Sequence, residues 1–277
     1  MTYLQAVVLA LVQGATEFLP ISSSAHLVLV PRLLGWPDQG LGFDVATNTG
    51  TLVAVMAYFR RELTGLGAAG LRALRPQGAG GEAPAARFQD PEARLALLVV
   101  LATVPVAVAG LLFHDWVSTA GRDPVLIAAT SIGFGLLLGW ADRAGARRRE
   151  LGSVGSVDAA VVGLAQALAL VPGTSRSGIT ITAGLARGFT REDAARFSFL
   201  LYVPVGILAA GKELWDFLAA GEGLGAVGPT LVGFTVSAVT AYLAIGALLA
   251  WVRRQSLAVF VVYRVVLGLV ILAVVYL

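Results

Sequence analysis

The sequence predicts an all-α polytopic membrane protein, an inverted-topology repeat of six full transmembrane helices and two broken re-entrant helical hairpins. Three observations predict it. The chain is 57% hydrophobic and only 13% charged, where a soluble domain carries about a quarter charged residues. The charges are bunched between apolar runs close to the roughly 20 residues that cross a bilayer as a helix. Two further apolar stretches, broken alike in the middle, recur about 152 residues apart.

The first broken stretch covers 3–34 and is interrupted by Leu19-Pro20-Ile21-Ser22-Ser23-Ser24. Proline stops the preceding helix, and the hydroxyl residues suit the cap of the next. Each half is too short to span, so the stretch reads as a re-entrant hairpin. Runs 43–60, 94–113 and 124–140 read as full spans. The second broken stretch, 158–188, is interrupted by Val171-Pro172-Gly173-Thr174-Ser175-Arg176-Ser177-Gly178. Runs 196–217, 227–251 and 257–276 complete the spans. In the repeat, Pro20 falls on Pro172, Ser22 on Thr174 and Ser23 on Ser175. Gln13 is echoed by Gln166, and Arg61-Glu62-Leu63 by Lys212-Glu213-Leu214. The chain reads as one membrane domain, with 1–150 the first repeat and 151–277 the second.

Arginine sets the orientation. Arg60, Arg61, Arg72, Arg75, Arg87 and Arg94, then Arg143, Arg147, Arg148 and Arg149, then Arg253 and Arg254 mark cytoplasmic segments. The loops 114–123 and 218–226 are poor in basic residues and read as outside, and 76–87 reads as a flexible cytoplasmic loop. The first hairpin then dips in from outside and the second from inside, with three spans between them. The net charge of +3 is thus topological and implies no nucleic acid. The absence of cysteine excludes disulfides, thiol catalysis and thiolate metal sites. The N-terminus lacks the features of a removable signal peptide.

Polar residues at membrane depth are expensive and so mark function. The first break and its flanks hold Gln13, Glu17, Ser22, Ser23, Ser24 and His26. The second holds Thr174, Ser175, Arg176, Ser177 and Thr180. Gln13 and Glu17 share a helical face. The helices that begin after Ser22 and Ser175 aim free N–H groups at the site, and Gly173 and Gly178 admit close backbone approach. Arg176 adds a fork suited to phosphate oxygens. The pattern points to a phosphate or diphosphate cradle, with Glu17 for proton transfer or for a divalent cation and His26 for proton exchange with a phosphoryl oxygen, a water or a serine hydroxyl. Taken one by one, the bland readings are a structural Glu17–Arg176 pair, a packed His26, and serines or Thr180 that merely cap helices. Asp44 and Asn48 line the pocket or solvate a helix end, the latter being preferred. His114 and Asp115 read as surface residues, and Lys212 and Glu213 as snorkelling at a span end. Gly133, Gly135 and Gly139 read as close-packing positions. From the residues alone a carrier for an anionic lipid or small anion shares the plan, because secondary transporters also use inverted repeats with broken helices.

The run Gln13-Gly14-Ala15-Thr16-Glu17-Phe18-Leu19-Pro20-Ile21-Ser22-Ser23-Ser24-Ala25-His26 resembles the first signature of the bacterial undecaprenyl-pyrophosphate phosphatases of the bacitracin-resistance type. Pro172-Gly173-Thr174-Ser175-Arg176-Ser177-Gly178-Ile179-Thr180 is similar to their second. The opening position of the first signature takes Glu or Gln. Here it is Gln13, which puts the weight on Glu17. The resemblance implies an undecaprenyl-diphosphate phosphatase, a hydrolase that forms undecaprenyl phosphate and inorganic phosphate, recycles the lipid carrier of peptidoglycan synthesis and confers bacitracin resistance. It implies Glu17, His26, Ser23 and Arg176 as catalytic residues. Gln13, Ser22, Ser24, Gly173, Thr174, Ser175, Ser177 and Thr180 would bind substrate, and Glu17 would hold a divalent cation, Mg or Ca. The expected partners are the lipid substrate and the bilayer of the bacterial cytoplasmic (inner) membrane, with the site open to the outer face. A homodimer is left open, as is the attacking group, water or a serine hydroxyl.

Overall fold

The computed structural model describes residues 1–75, 88–113, 123–219 and 227–276. Its described residues form eleven α-helices and no sheet. The loop 76–87, most of both outside loops, and with them Arg87, His114 and Asp115, lie outside the described residues.

Helix α1 (Tyr3–Phe18) starts at a capping box, with Thr2 Oγ1 accepting from Gln5 N–H and Gln5 Oε1 accepting from Thr2 N–H. It stops where Leu19 turns extended ahead of Pro20. Helix α2 (Ser23–Leu34) resumes after the break and ends at Gly35, which is left-handed. Then come α3 (Leu41–Tyr58), α4 (Arg60–Leu74), α5 (Pro91–Leu112) and α6 (Pro124–Ala144). Asp90 and Asp123 cap α5 and α6, each with proline at the first helical position. Helix α7 (Ser156–Ala167) runs through a 3₁₀ turn (Leu168–Leu170) into the second break. The chain continues as α8 (Arg176–Ala186), α9 (Arg191–Ala219), α10 (Val227–Val252) and α11 (Ala258–Tyr276).

Five helices, α5, α6, α9, α10 and α11, are long and apolar enough to cross a membrane, so the protein is a multi-pass membrane protein. The sixth expected span, α3, is an 18-residue helix, but Asp44, Asn48 and three threonines dilute its apolar run and it is not among the five. The basic segment after it is in part a helix, α4. It was not foreseen because its buried stripe, Leu66, Ala69 and Ala73, is mostly alanine. Large apolar side chains such as Leu111, Leu231 and Val266 stand exposed on the long helices, as lipid contact requires. Exposed Trp140, Trp215 and Trp251 lie near helix ends, the usual place of interfacial aromatics.

Glycine lets helices meet closely. A Cβ on Gly14 or Gly50 would lie 2.6 Å from Ser237 O or 2.3 Å from Ser237 Oγ, so α10 seats against both α1 and α3. Gly135 and Gly139 pack against Arg264 and Val261 of α11, as expected, whereas Gly133 faces nothing within 4 Å. The main core gathers Phe18, Phe59, Phe197, Phe199 and Tyr202 with aliphatic residues of α3, α5, α8, α9 and α10.

Candidate active site

The two breaks meet. Each holds a serine in a backbone conformation that side chains rarely adopt, Ser22 at φ 73°, ψ 100° and Ser175 at φ 67°, ψ 110°. Helices α2 and α8 start on the next residue. The structural register therefore pairs Ser22 with Ser175, one residue beyond the register set by the two prolines. Gly173, at φ 83°, takes up the difference: a Cβ there would lie 2.3 Å from Thr130 Oγ1 and 2.5 Å from the Ile127 carbonyl oxygen. Ser175 caps α8, its Oγ accepting from Gly178 N–H at 3.2 Å. Ser22 makes no such side-chain cap, contrary to expectation. Its Oγ shares a 3.1 Å hydrogen bond with Ser24 instead.

Two contacts join the breaks. Ser177 Oγ donates to the Leu19 carbonyl at 3.0 Å, and Arg176 Nη2 reaches Glu17 Oε1 at 3.4 Å. Arg176 also donates to the Ser198 carbonyl at 3.3 Å and lies 4.0 Å above the Tyr202 ring. The other oxygen of Glu17 accepts from Ser23 Oγ at 2.7 Å and from Gln13 Nε2 at 3.2 Å. Glu17 and Arg176 are only 15% and 12% exposed, so the pair is shielded yet reachable. Thr180 Oγ1 closes the base of α8 against Ser198 Oγ at 2.7 Å.

His26 is held differently. Its Nδ1 lies 2.7 Å from the Ser22 carbonyl oxygen, which only accepts, so Nδ1 carries a proton. Its Nε2 lies 2.5 Å from the Tyr263 hydroxyl, and no hydrogen bond joins His26 to Glu17 or Ser23 among the described residues. Three buried polar atoms around the breaks lack partners: Gln13 Oε1, Thr174 Oγ1 and Arg264 Nη1. Such groups cost free energy unless a ligand or water satisfies them, which suits a binding site. Among the described residues no three His, Cys, Asp or Glu side chains cluster as a metal cage. Glu17 supplies the single carboxylate that a hard divalent cation takes when phosphate and water complete its shell.

Several neighbours were not anticipated. Asn48 accepts from Gln13 at 2.7 Å and donates to Glu213 at 3.0 Å, so neither solvates a helix end or snorkels. Their sequence signal was ambiguous because both lie near the ends of polar-flanked runs. Arg264 is fully buried in α11, donating to the Ser131 and Gly173 carbonyls at 3.0 Å each. Its signal was present, a lone cation inside a long apolar run. Tyr202, Ser198 and Tyr263 carried no such signal. A cavity of about 290 Å³ runs from Ser24 past Arg32 and Trp36 to Asp44. A larger cavity, about 1030 Å³, lies elsewhere, among Arg147, Arg191, Arg196 and Arg253 and several carboxylates. No candidate residue lines it, and its charges are substantially self-paired, as in Arg253–Glu192 at 2.7 Å, so the chemistry is placed at the breaks.

A family model described as bacitracin resistance protein BacA matches residues 6–270. The chain is 54% identical over 277 residues to an undecaprenyl-diphosphatase of Magnetococcus marinus, with 99% of each chain covered. It is 50% identical to the undecaprenyl-diphosphatases of Thioalkalivibrio sulfidiphilus over 268 residues and Alcanivorax borkumensis over 273, with 97% and 98% of each chain covered.

Proposed function

The chain belongs to the bacitracin resistance protein BacA family, and from that membership we infer that it is an undecaprenyl-diphosphatase, a membrane hydrolase. It converts undecaprenyl diphosphate to undecaprenyl phosphate and inorganic phosphate. This returns the lipid carrier to peptidoglycan synthesis and accounts for bacitracin resistance. The observation that carries the site is one carboxylate, Glu17, gripped by Ser23 from the first break and Arg176 from the second.

The mechanism follows from those contacts as a proposal. The prenyl tail stays in lipid and the diphosphate enters between the breaks. Arg176 and the N–H groups at the start of α8 take up charge on the terminal phosphoryl group, where positioning and electrostatics do most of the work. Ser23 Oγ, already donating to Glu17, is placed to attack the terminal phosphorus while Glu17 accepts its proton. The bond to the bridging oxygen breaks, undecaprenyl phosphate leaves, and water then releases phosphate from the serine. With Nδ1 committed to the Ser22 carbonyl, proton exchange at His26 runs through Nε2, braced by Tyr263. Gln13, Ser22, Ser24, Gly173, Thr174, Ser175, Ser177 and Thr180 shape the cradle. A divalent cation, Mg or Ca, held through Glu17, would neutralise phosphoryl charge when bound.

The finer architecture belongs to the same proposal. Two re-entrant hairpins in an inverted repeat and six spans are supported by the matching serine geometry at the two breaks and by the arginine distribution, whereas an inner-membrane location and a site open to the outer face rest on the family alone. A homodimer has no support among the contacts described. The test is phosphate release from undecaprenyl diphosphate by purified protein in detergent, with and without a chelator. Release that stops with chelator supports a cation-assisted diphosphatase. No release from folded, lipid-bound protein would favour a carrier. Trapped phosphoserine after quenched turnover supports attack by Ser23, and its absence favours water.

A further inference from the structure

The hydrogen bonds around Glu17 do not stop at the breaks. Gln13 Nε2 donates to Glu17 Oε2 at 3.2 Å and to Asn48 Oδ1 at 2.7 Å. Asn48 Nδ2 donates to both oxygens of Glu213, at 3.0 and 3.3 Å. An amide can face either way, but a carboxylate only accepts. Glu213 therefore claims the NH₂ of Asn48 and turns the Asn48 oxygen toward Gln13. That oxygen claims the NH₂ of Gln13, whose second hydrogen reaches Glu17. The direction of each bond is imposed from both ends, by Glu213 through Asn48 and by Glu17 directly on Gln13. Were Asn48 turned over, Gln13 would answer with its oxygen, and an acceptor would face the Glu17 carboxylate.

Two further observations fit this role. Glu213 has no basic partner among the described ion pairs, because the neighbouring Lys212 pairs with Asp216 at 2.6 Å. Gln13 is 2% exposed, so its amide finds its partners among side chains and not in solvent.

We propose that Glu213 is a positioning residue of the phosphatase site, which through Asn48 and Gln13 keeps a hydrogen-bond donor on Glu17. The proposal rests on Glu17 being the catalytic carboxylate. It requires no contact between Glu213 and substrate.

The test compares kcat and KM for undecaprenyl diphosphate in detergent among Glu213→Gln, the double variant Glu213→Gln with Asn48→Asp, and Glu17→Gln. An amide at position 213 accepts either orientation of Asn48, so the donor on Glu17 is then held from the Glu17 end alone. The expected loss in kcat is roughly tenfold, the worth of one hydrogen bond to a charged group, with KM within about twofold of the parent. In the double variant the carboxylate at position 48 accepts from both sides and restores the Gln13 donor, so kcat recovers to within about threefold of the parent. That recovery also excludes misfolding as the cause of the single loss. An unchanged kcat in Glu213→Gln, or a double variant as slow as the single one, overturns the proposal. An active Glu17→Gln overturns the site reading beneath it, which separates the two failures.

Discussion

At the scale of residues, the site is a contest over one carboxylate. Glu17 accepts from Arg176, Ser23 and Gln13. Losing any one leaves the others facing a shielded charge with fewer partners, which is expensive. We expect Glu17→Ala and Arg176→Ala each to lower the rate of phosphate release by about a thousandfold. Arg176→Lys should stay low, because an ammonium cannot serve Glu17 and the Ser198 carbonyl with one planar fork while lying flat on Tyr202. Near-parental release by either alanine variant, measured on purified protein, would remove that residue from the chemistry, and near-parental release by Arg176→Lys would show that the charge alone suffices.

At the scale of elements, the second hairpin needs its open ends tied together so that its break stays opposite the first. The tie is Asp158, in the first turn of α7. It accepts from Arg149 at 2.6 and 2.9 Å and from Arg187, just past α8, at 2.7 Å. Burial alone would raise the Asp158 pKa, but the hydrogen bonds from Arg149, Arg187 and the Gly155 N–H outweigh it and hold the carboxyl at about 2. A depressed folded-state pKa contributes stability that is present above the unfolded value, near 3.8, and is lost as pH falls from there toward 2. The contribution is about 2 kcal/mol at neutral pH. Asp158→Asn should therefore lower Tm at pH 7 and lose little more between pH 4 and 2, where the parent loses most. Parallel Tm curves across that range, read by thermal melting in detergent, would show that Asp158 is not the tie.

At the scale of the whole molecule, the proposed inverted repeat makes a statement about sides. The chain has no cysteine, so one introduced thiol reports its own position. Asp38→Cys, in the loop after α2, should react with a membrane-impermeant reagent added outside intact cells. Gly152→Cys, in the basic segment ahead of α7, should react only once the membrane is opened. Labelling of both from the same side would end the inverted reading while leaving the site chemistry untouched.

The amino-acid sequence by itself determined where the two broken stretches are interrupted. Pro20, Pro172 and the hydroxyl runs beside them act within a turn of the chain, and so do the Asp-Pro starts of α5 and α6. The sequence also marked Glu17 and Arg176, because charge inside an apolar run is conspicuous without any knowledge of packing. Only the tertiary structure decided which polar groups share a site. Asn48 and Glu213 are far apart along the chain and lie within helices whose local pattern suits a solvated end. Their partnership exists because α1, α3 and α9 converge on Gln13. Tyr263 was illegible for the same reason, since a tyrosine in an apolar helix gives no sign that a histidine from α2 lies against its hydroxyl. Local signals act over a few residues through backbone sterics and capping. Hydrogen bonds between distant side chains depend on helix packing, which no short stretch of sequence encodes.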